Sequence, residues 1–308
     1  MTQLSIGTWA FGVYAEHPLP FAQVLDRIAE LKFDGVELGA FDPHPSPLTH
    51  ATKAERKALA GAFASRNLQI SAVATDFGER GFIGGDADEY LNALDRNLVF
   101  CQEVGASRLI VNTMASPEEA FAIGEAKAME NLLATWKTAA ARAKRAAVTL
   151  AFEFEPCWAL NAPEQVIRIA HALAGPGFGV LYDTAHSHIV SEVGRPAPNP
   201  TPPLRGGQEE MLRRLAGTIV HVHMLDSDGS IHQSEKSTER TTVHVPFGQG
   251  NVDFARVVPA LIRAGGAGGW WTVDLCFWPD AWGAAEACKQ FVDRLARTYL
   301  DTAPASES

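Results

Sequence analysis

Short apolar runs rich in β-branched residues recur along the chain, and each is followed by a segment whose apolar positions repeat at helical spacing. The runs are LSIGTW (4–9), GVELG (35–39), LQISAVA (68–74), RLIVNT (108–113), VTLAFEFE (148–155), GVLYDTAH (179–186), TIVHVHMLD (218–226) and WWTVDLCF (270–277), eight in all. Between them Phe21, Val24, Leu25, Ile28 and Leu31 share one helical face. So do Leu91, Leu94, Leu98 and Cys101, and again Phe254, Val257, Val258 and Leu261. Such stripes suit helices packed on the outside of a barrel. Asn161 with Glu164 three residues on reads as a capping box opening the helix that carries Val166, Ile167, Ile169 and Leu173. Eight strand–helix units of about 38 residues predict an α/β protein with a single (β/α)8 barrel over residues 1–302. A doubly wound sheet is the alternative, but no GxGxxG follows the first strand.

Two segments interrupt the rhythm. Residues 192–207, EVGRPAPNPTPPLRGG, are too rich in Pro and Gly for a helix or central strand and predict a long loop inserted after the sixth strand. Loops of that length serve as lids, interface arms or disordered segments. The small polar end, 303–308, predicts a frayed tail.

Composition narrows the class. With 46% hydrophobic and 20% charged residues the chain buries a large core. Lys+Arg 26 against Asp+Glu 36 leaves a net charge of −10, which repels a phosphate backbone, so no nucleic-acid partner is expected. There is no basic segment followed by an apolar run at the N-terminus and no stretch of ~20 apolar residues, so a soluble, unexported, cytoplasmic protein without a membrane partner is expected. Cys101, Cys157, Cys276 and Cys288 form no CxxC pair and read as reduced thiols.

Barrel strands are buried on both sides, so a charged side chain inside one is costly unless paired, hydrogen-bonded or metal-bound. Glu37, Glu153, Glu155, Asp183, His221, His223 and Asp274 all fall at or near predicted strand ends, on the catalytic face of this fold. Alternation turns Phe152 and Phe154 outward and Glu153 and Glu155 towards the axis, and the same parity turns Asp183, His223 and Asp274 inward. Glu153, Asp183, His223 and Asp274 lie on the last four predicted strands, neighbours around the barrel, and converge as three carboxylates and one imidazole. That set predicts one divalent metal ion, Mn²⁺ or Mg²⁺ first, with Co²⁺, Zn²⁺ or Fe²⁺ compatible, since no thiolate selects a soft metal. Each residue alone reads equally as an ion pair or a core histidine; the set of four favours the metal.

At YDTAHSH (182–188), HVHMLD (221–226) and HVPFGQGNVDF (244–254) the sequence resembles the xylose-isomerase-like TIM-barrel superfamily, which includes sugar phosphate isomerases/epimerases, ketose 3-epimerases, inosose dehydratases and endonuclease IV. The likeness covers nearly the whole chain: a strand-end Glu, then DxxH, HxHxxD and PxGxGxxDF. By resemblance to the ketose epimerases, Glu153 is metal ligand and acid/base, Asp183 and His223 are ligands, His186 contacts a substrate hydroxyl and Glu155 points at the substrate. Those epimerases end the ligand set with a glutamate that is also the second acid/base, where this chain has the shorter Asp274. His244 stands where the endonuclease branch places a further zinc ligand; it is also readable as a substrate contact or as a loop histidine bonded to backbone. Resemblance also implies a homo-oligomer or hetero-oligomer.

Further residues have two readings each. Trp9, Phe11, Trp158, Phe277, Trp278 and Trp282 stack on a sugar ring, wall the site, or pack helices on strands. Asn112 bonds a substrate hydroxyl or caps a loop, and Glu37 meets a substrate hydroxyl or pairs with a lysine or arginine. His188 assists His186 or stands exposed at the root of the Pro-rich loop. His221 sits deeper than His223 and reads as a hydrogen-bonded core residue. The expected activity is metal-dependent isomerisation or epimerisation of a ketose or related polyol sugar through a metal-stabilised enediolate. Glu153 takes the proton, and Asp274, Glu155 or another acid returns it. The alternatives are a lyase of the same fold, either an inosose-type dehydratase or a 3-oxo-glycoside deglycosidase, and a non-catalytic barrel that binds a sugar or a partner.

Overall fold

A computed structural model describes residues 2–300 apart from positions 14, 16, 76, 78–81, 114, 195–199 and 234–239. The tail expected at 303–308 and the middle of the 192–207 loop lie outside the described residues. Among the described residues ten strands run in chain order: β1 Gln3–Gly7, β2 Gly35–Ala40, β3 Gln69–Thr75, β4 Arg108–Val111, β5 Thr149–Glu153, β6 Phe178–Asp183, β7 Ile219–Met224, β8 Ile231–Gln233, β9 Arg240–Thr242 and β10 Trp270–Val273. Eight close a parallel barrel in the order β1-β10-β7-β6-β5-β4-β3-β2, and β8 and β9 form an antiparallel hairpin outside it. The helices are α1 Phe21–Glu30, α2 Lys53–Ala64, α3 Asp88–Val104, α4 Pro117–Ile123, α5 Glu125–Arg145, α6 Pro163–Leu173, α7 Thr184–His188, α8 Gly207–Leu215, α9 Phe254–Leu261 and α10 Ala281–Tyr299. The single (β/α)8 barrel expected from the repeating pattern is the fold. No described helix is long and apolar enough to cross a membrane.

Strand alternation sorts the core into two layers. Leu4, Ile6, Val36, Leu38, Phe152, Tyr182 and Val273 face the helices, and Ala72, Ile110, Ala151 and Leu181 fill the barrel's interior. With Trp271 of β10, Trp136 of α5 is one of the two largest outer plugs. It is fully buried, lies 4.9 Å edge-on to Phe152 and 5.5 Å from Phe178, and donates its indole N–H to Tyr90 Oη at 3.0 Å. Two register shifts bend the barrel wall. Val36 pairs with Ile70 but Glu37 with Ala72, and Val180 pairs with Ile219 but Leu181 with His221. The extra residues, Ser71 and Val220, are bulges, and bulges re-aim neighbouring side chains.

Several predicted runs overshoot their strands. GVLYDTAH ends as a strand at Asp183, because that carboxylate accepts the His186 N–H at 2.6 Å and turns Thr184–His188 into a helix. The expected capping box of Asn161 and Glu164 is corrected. The N-cap is Ala162, Gln165 reaches back to the Ala162 N–H at 3.0 Å, and the Asn161 amide donates to the Glu155 carbonyl at 2.8 Å. Of the Pro-rich segment, residues 189–193 form one wide helical turn and α8 begins at Gly207.

Trp136→Ala should destabilise the protein by about 3–5 kcal/mol in denaturant unfolding, the cost of removing a buried Trp; Trp136→Phe should lose less. A second expectation concerns His44, buried against Phe21 at 5.2 Å. Burial pushes its imidazole down to about 4, against the pull of Asp42. Below pH 6.5 the unfolded chain takes up a proton that folded His44 refuses. Stability should therefore fall as pH drops from 6.5 towards 4, by on the order of 2 kcal/mol, and His44→Leu should lack that part of the acid slope in unfolding measured across this range.

Candidate functional site

Glu153 ends β5, Asp183 ends β6, His223 is the penultimate residue of β7, and Asp274 follows β10 directly. Asp183 and His223 are ladder partners, and Thr272 pairs with His223 on its other side, so the inward side chains of successive strands meet. His223 Nδ1 lies 3.1 Å from Glu153 Oε1, 3.5 Å from Asp274 Oδ2 and 3.6 Å from Asp183 Oδ2. One ligand atom from each of the four falls within 4.8 Å of the others. The structure thus brings together the predicted set. Burial alone would raise the carboxyls of Asp183 and Asp274, but neighbouring histidines outweigh it and hold both below the usual range. Against its burial, Glu37 foremost and then Asp183, Asp274 and Glu153 hold His223 well above the ordinary imidazole value.

Glu37 is corrected. It lies in the middle of β2 rather than at the mouth, is fully buried, and among the described residues forms an ion pair with neither lysine nor arginine. Its Oε2 accepts from His221 Nε2 at 2.6 Å and its Oε1 from His223 Nε2 at 2.9 Å. Burial pushes this carboxyl up, yet the two imidazoles prevail and bring it down to about 2. His221 is the core histidine expected. Its Nε2 also lies 3.0 Å from Thr272 Oγ1, which is 2.7 Å from Ser5 Oγ.

A second tier surrounds the four. His186 Nδ1 meets Thr242 Oγ1 at 2.8 Å, while its Nε2 faces Glu153 and Glu155 at 3.9 and 3.8 Å, too far for hydrogen bonds. Glu155 accepts from Thr241 Oγ1 at 2.5 Å. Burial, with the charges of Glu153 and Asp274, raises the Glu155 carboxyl to about 7 despite His186 and Thr241. His244 donates from Nδ1 to the Asp274 carbonyl at 3.0 Å, the backbone-bonded reading. Its ring is also buried 5.3 Å from that of His186, and its Nε2 has no hydrogen-bond partner among the described residues. Trp9 is a wall of the site: its indole N–H donates to Asp274 Oδ1 at 2.8 Å, and its ring lies 6.1 Å from His223. Cys276 Sγ approaches the same Oδ1 at 3.5 Å.

Trp278 is half-buried and packs on the outer core, and Phe11 stacks on Trp282 at 3.7 Å, so these two are packing residues. Phe277 stacks on His232 of β8 at 4.0 Å. Asn112 directly follows β4 and is half-buried. His188, read as assisting His186 or exposed, is buried in α7. Sequence reasoning missed Thr241 and Thr242, because three-residue strands are too short for alternation to register; their one signal is the adjacent β-branched pair.

The HVHMLD and HVPFGQGNVDF motifs join as a structural knot. Asp226 accepts the N–H of Ser227 and Val252 on Oδ1, at 2.9 and 3.1 Å, and those of Gly248 and Gly250 on Oδ2, at 2.8 and 3.1 Å. A Cβ at Gly250 would lie 2.2 Å from Asp226 Oδ1, so only glycine fits there. The knot fixes the segment that carries His244.

A family model described as xylose isomerase-like TIM barrel matches residues 25–295. The chain belongs to the xylose isomerase-like TIM barrel family. No curated protein matches it. Among solved structures, an IolI protein with a bound zinc atom superposes with a TM-score of 0.73 at 17% identity, covering 98% of this chain and 100% of that one. An L-ribulose 3-epimerase gives 0.69 at 17%, covering 100% of both chains. A probable 3-DHS dehydratase, AsbF from Bacillus anthracis, gives 0.66 at 12%, covering 95% of this chain and 99% of that one. These likenesses establish the barrel. The family's divalent ion is tested by the residues present. Among the described residues Asp183 Oδ2 and His223 Nδ1 are buried without hydrogen-bond partners, and both converge with Glu153 and Asp274. Buried orphan acceptors grouped with carboxylates fit a hard or borderline cation.

Asp226→Ala should remove four hydrogen bonds at once. Amide hydrogen exchange at Gly248, Gly250 and Val252 should rise at least tenfold, and global stability should fall by about 2–4 kcal/mol.

Proposed function

We propose that the chain is a divalent-metal-dependent isomerase or epimerase acting on a ketose or related polyol sugar. The observation that carries this reading is the convergence of Glu153, Asp183, His223 and Asp274 at the barrel mouth, with Asp183 Oδ2 and His223 Nδ1 buried and partnerless. These four side chains hold the ion, with Mn²⁺ or Mg²⁺ favoured by three oxygen donors and one nitrogen. When bound, such an ion supplies Lewis acidity that lowers the pKa of a C–H beside a carbonyl. The likeness to an L-ribulose 3-epimerase and to a zinc-bound IolI protein supports both the chemistry and the ion.

The residues of the chain then divide the proton work. Glu153 takes the proton from the carbon beside the carbonyl. His186, whose Nε2 faces the gap between Glu153 and Glu155, hydrogen-bonds a substrate oxygen there. Return of the proton falls to Glu155. Asp274 has Oδ1 held by the Trp9 indole and turns Oδ2 to the ligand cluster, 3.5 Å from His223 Nδ1, whereas Glu155 keeps one oxygen clear of Thr241 and is poised near 7. A group that titrates near neutral pH can give and take a proton in one cycle. Return to the opposite face of the same carbon epimerises; return to the neighbouring carbon isomerises.

A poised Glu155 equally favours a lyase, in which it protonates a β-leaving group instead. The likeness to a probable 3-DHS dehydratase supports that second reading. Product mass separates the two, since isomers keep the substrate's mass and a dehydratase product is lighter by one water.

Elemental analysis should find about one equivalent of divalent metal in the purified protein, lost in a Glu153→Gln, Asp183→Asn, His223→Gln variant. The loaded wild type should wash deuterium from D₂O into ketoses, and Glu153→Gln should lower that exchange by at least 10³-fold. No metal after loading of folded protein, with no exchange on any ketose or 3-oxo-sugar, would replace this reading with a binding barrel.

A further inference from the structure

We infer that Glu37 is a positioning residue that fixes His223 with its Nδ1 lone pair facing Glu153, Asp183 and Asp274. The inference rests on the reading that these four residues hold a divalent ion. A carboxylate accepts hydrogen bonds and does not donate them. Glu37 is fully buried and has one oxygen on each of two imidazoles, His221 Nε2 at 2.6 Å and His223 Nε2 at 2.9 Å, so both of those nitrogens carry hydrogen. A neutral imidazole has one N–H. With a cation bound the imidazole is neutral, and Nδ1 of His223 is then left as a lone pair, directed at three carboxylates 3.1 to 3.6 Å away. A lone pair among carboxylates is satisfied only by a cation or a proton.

Glu37 is itself held from below. His221 Nε2 also touches Thr272 Oγ1 at 3.0 Å, and Thr272 meets Ser5 at 2.7 Å. The polar chain thus crosses β1, β10, β7 and β2. The bulges at Ser71 and Val220 set the register that brings Ala72 opposite Glu37 and His221 opposite Leu181. A carboxylate behind a ligating histidine sets which nitrogen binds and raises its basicity, and losing it typically weakens metal binding by about 10–100-fold. A carboxylate that only stabilised the core would leave metal affinity and coordination untouched.

The test uses Co²⁺ alone as probe, titrated into the whole metal-free protein and followed by visible absorption. Wild type, Glu37→Ala, Glu37→Gln and the packing control Trp136→Phe are compared, with a circular-dichroism melt of each. Nitrogen-15 NMR of the zinc-loaded wild type reads which nitrogen of His223 carries hydrogen. The expected result is Co²⁺ affinity about 10–100-fold weaker in Glu37→Ala, with shifted absorption bands, and wild-type behaviour in Trp136→Phe. The zinc-loaded wild type should carry the His223 hydrogen on Nε2. Wild-type affinity and spectrum in folded Glu37→Ala overturn the inference and leave the cation reading standing. A wild type that takes up no Co²⁺ overturns the cation reading, and the inference with it. Should Glu37→Ala not fold, a His223 hydrogen on Nδ1 in the zinc-loaded wild type, or unchanged Co²⁺ binding and spectrum in Glu37→Gln, overturns the inference.

Discussion

Carboxylates taken out of water must be balanced by something, and the interior of this barrel is arranged around that demand. Glu37, Asp183 and Asp274 are buried, with Glu153 only slightly open, and histidines meet all four. A buried anion left unpaired costs several kcal/mol, so each contact with His221, His223, His186 or His244 is as much a condition of folding as of chemistry. The pairing leaves a remainder. Glu37 is satisfied by two imidazoles, whereas Glu153 Oε1, Asp183 Oδ2 and Asp274 Oδ2 above it converge on a single nitrogen, His223 Nδ1. The imbalance lies at the open end of the barrel, where a cation can enter.

The scaffold turns that electrostatic problem into geometry. Inward positions on four adjacent strands place the site, and two bulges adjust the register so that Glu37 and His221 meet across the axis. Small interior residues such as Ala72 and Ala151 leave room for long polar side chains from the other strands. Loops complete the mouth. The Asp226 knot holds the His244 segment, and the β8–β9 hairpin presents Thr241 to Glu155 and Thr242 to His186. Rigid strands carry the groups that need fixed positions, and the loops carry groups that face a substrate.

The two glutamates of the FEFE run show how environment separates chemically identical groups. Glu153 faces His223 directly, while Glu155, two residues on, lies beyond the strand end against Thr241 and His186. Burial and the neighbouring negative charges bring Glu155 to about 7. Different settings for paired carboxyls are how one site both removes and returns protons.

The sequence by itself determined the barrel, since eight apolar runs separated by helical stripes have few other ways to hide their surface. It also determined the set Glu153, Asp183, His223 and Asp274, because strand alternation is local and polar residues on inward positions stand out against it. It could not show where strands stop, which Asp183 decides by capping a helix, or that Gln165 rather than Glu164 closes the α6 box. Tertiary structure alone decided that Glu37 serves His221 and His223 rather than a substrate, that Trp9 bonds Asp274, and that a hairpin brings Thr241 and Thr242 to the site. The physical reason is range. Alternation and helical period couple residues two to four apart, whereas those contacts join residues 56 to 265 positions apart, whose meeting depends on barrel closure and on register shifts that no local pattern encodes.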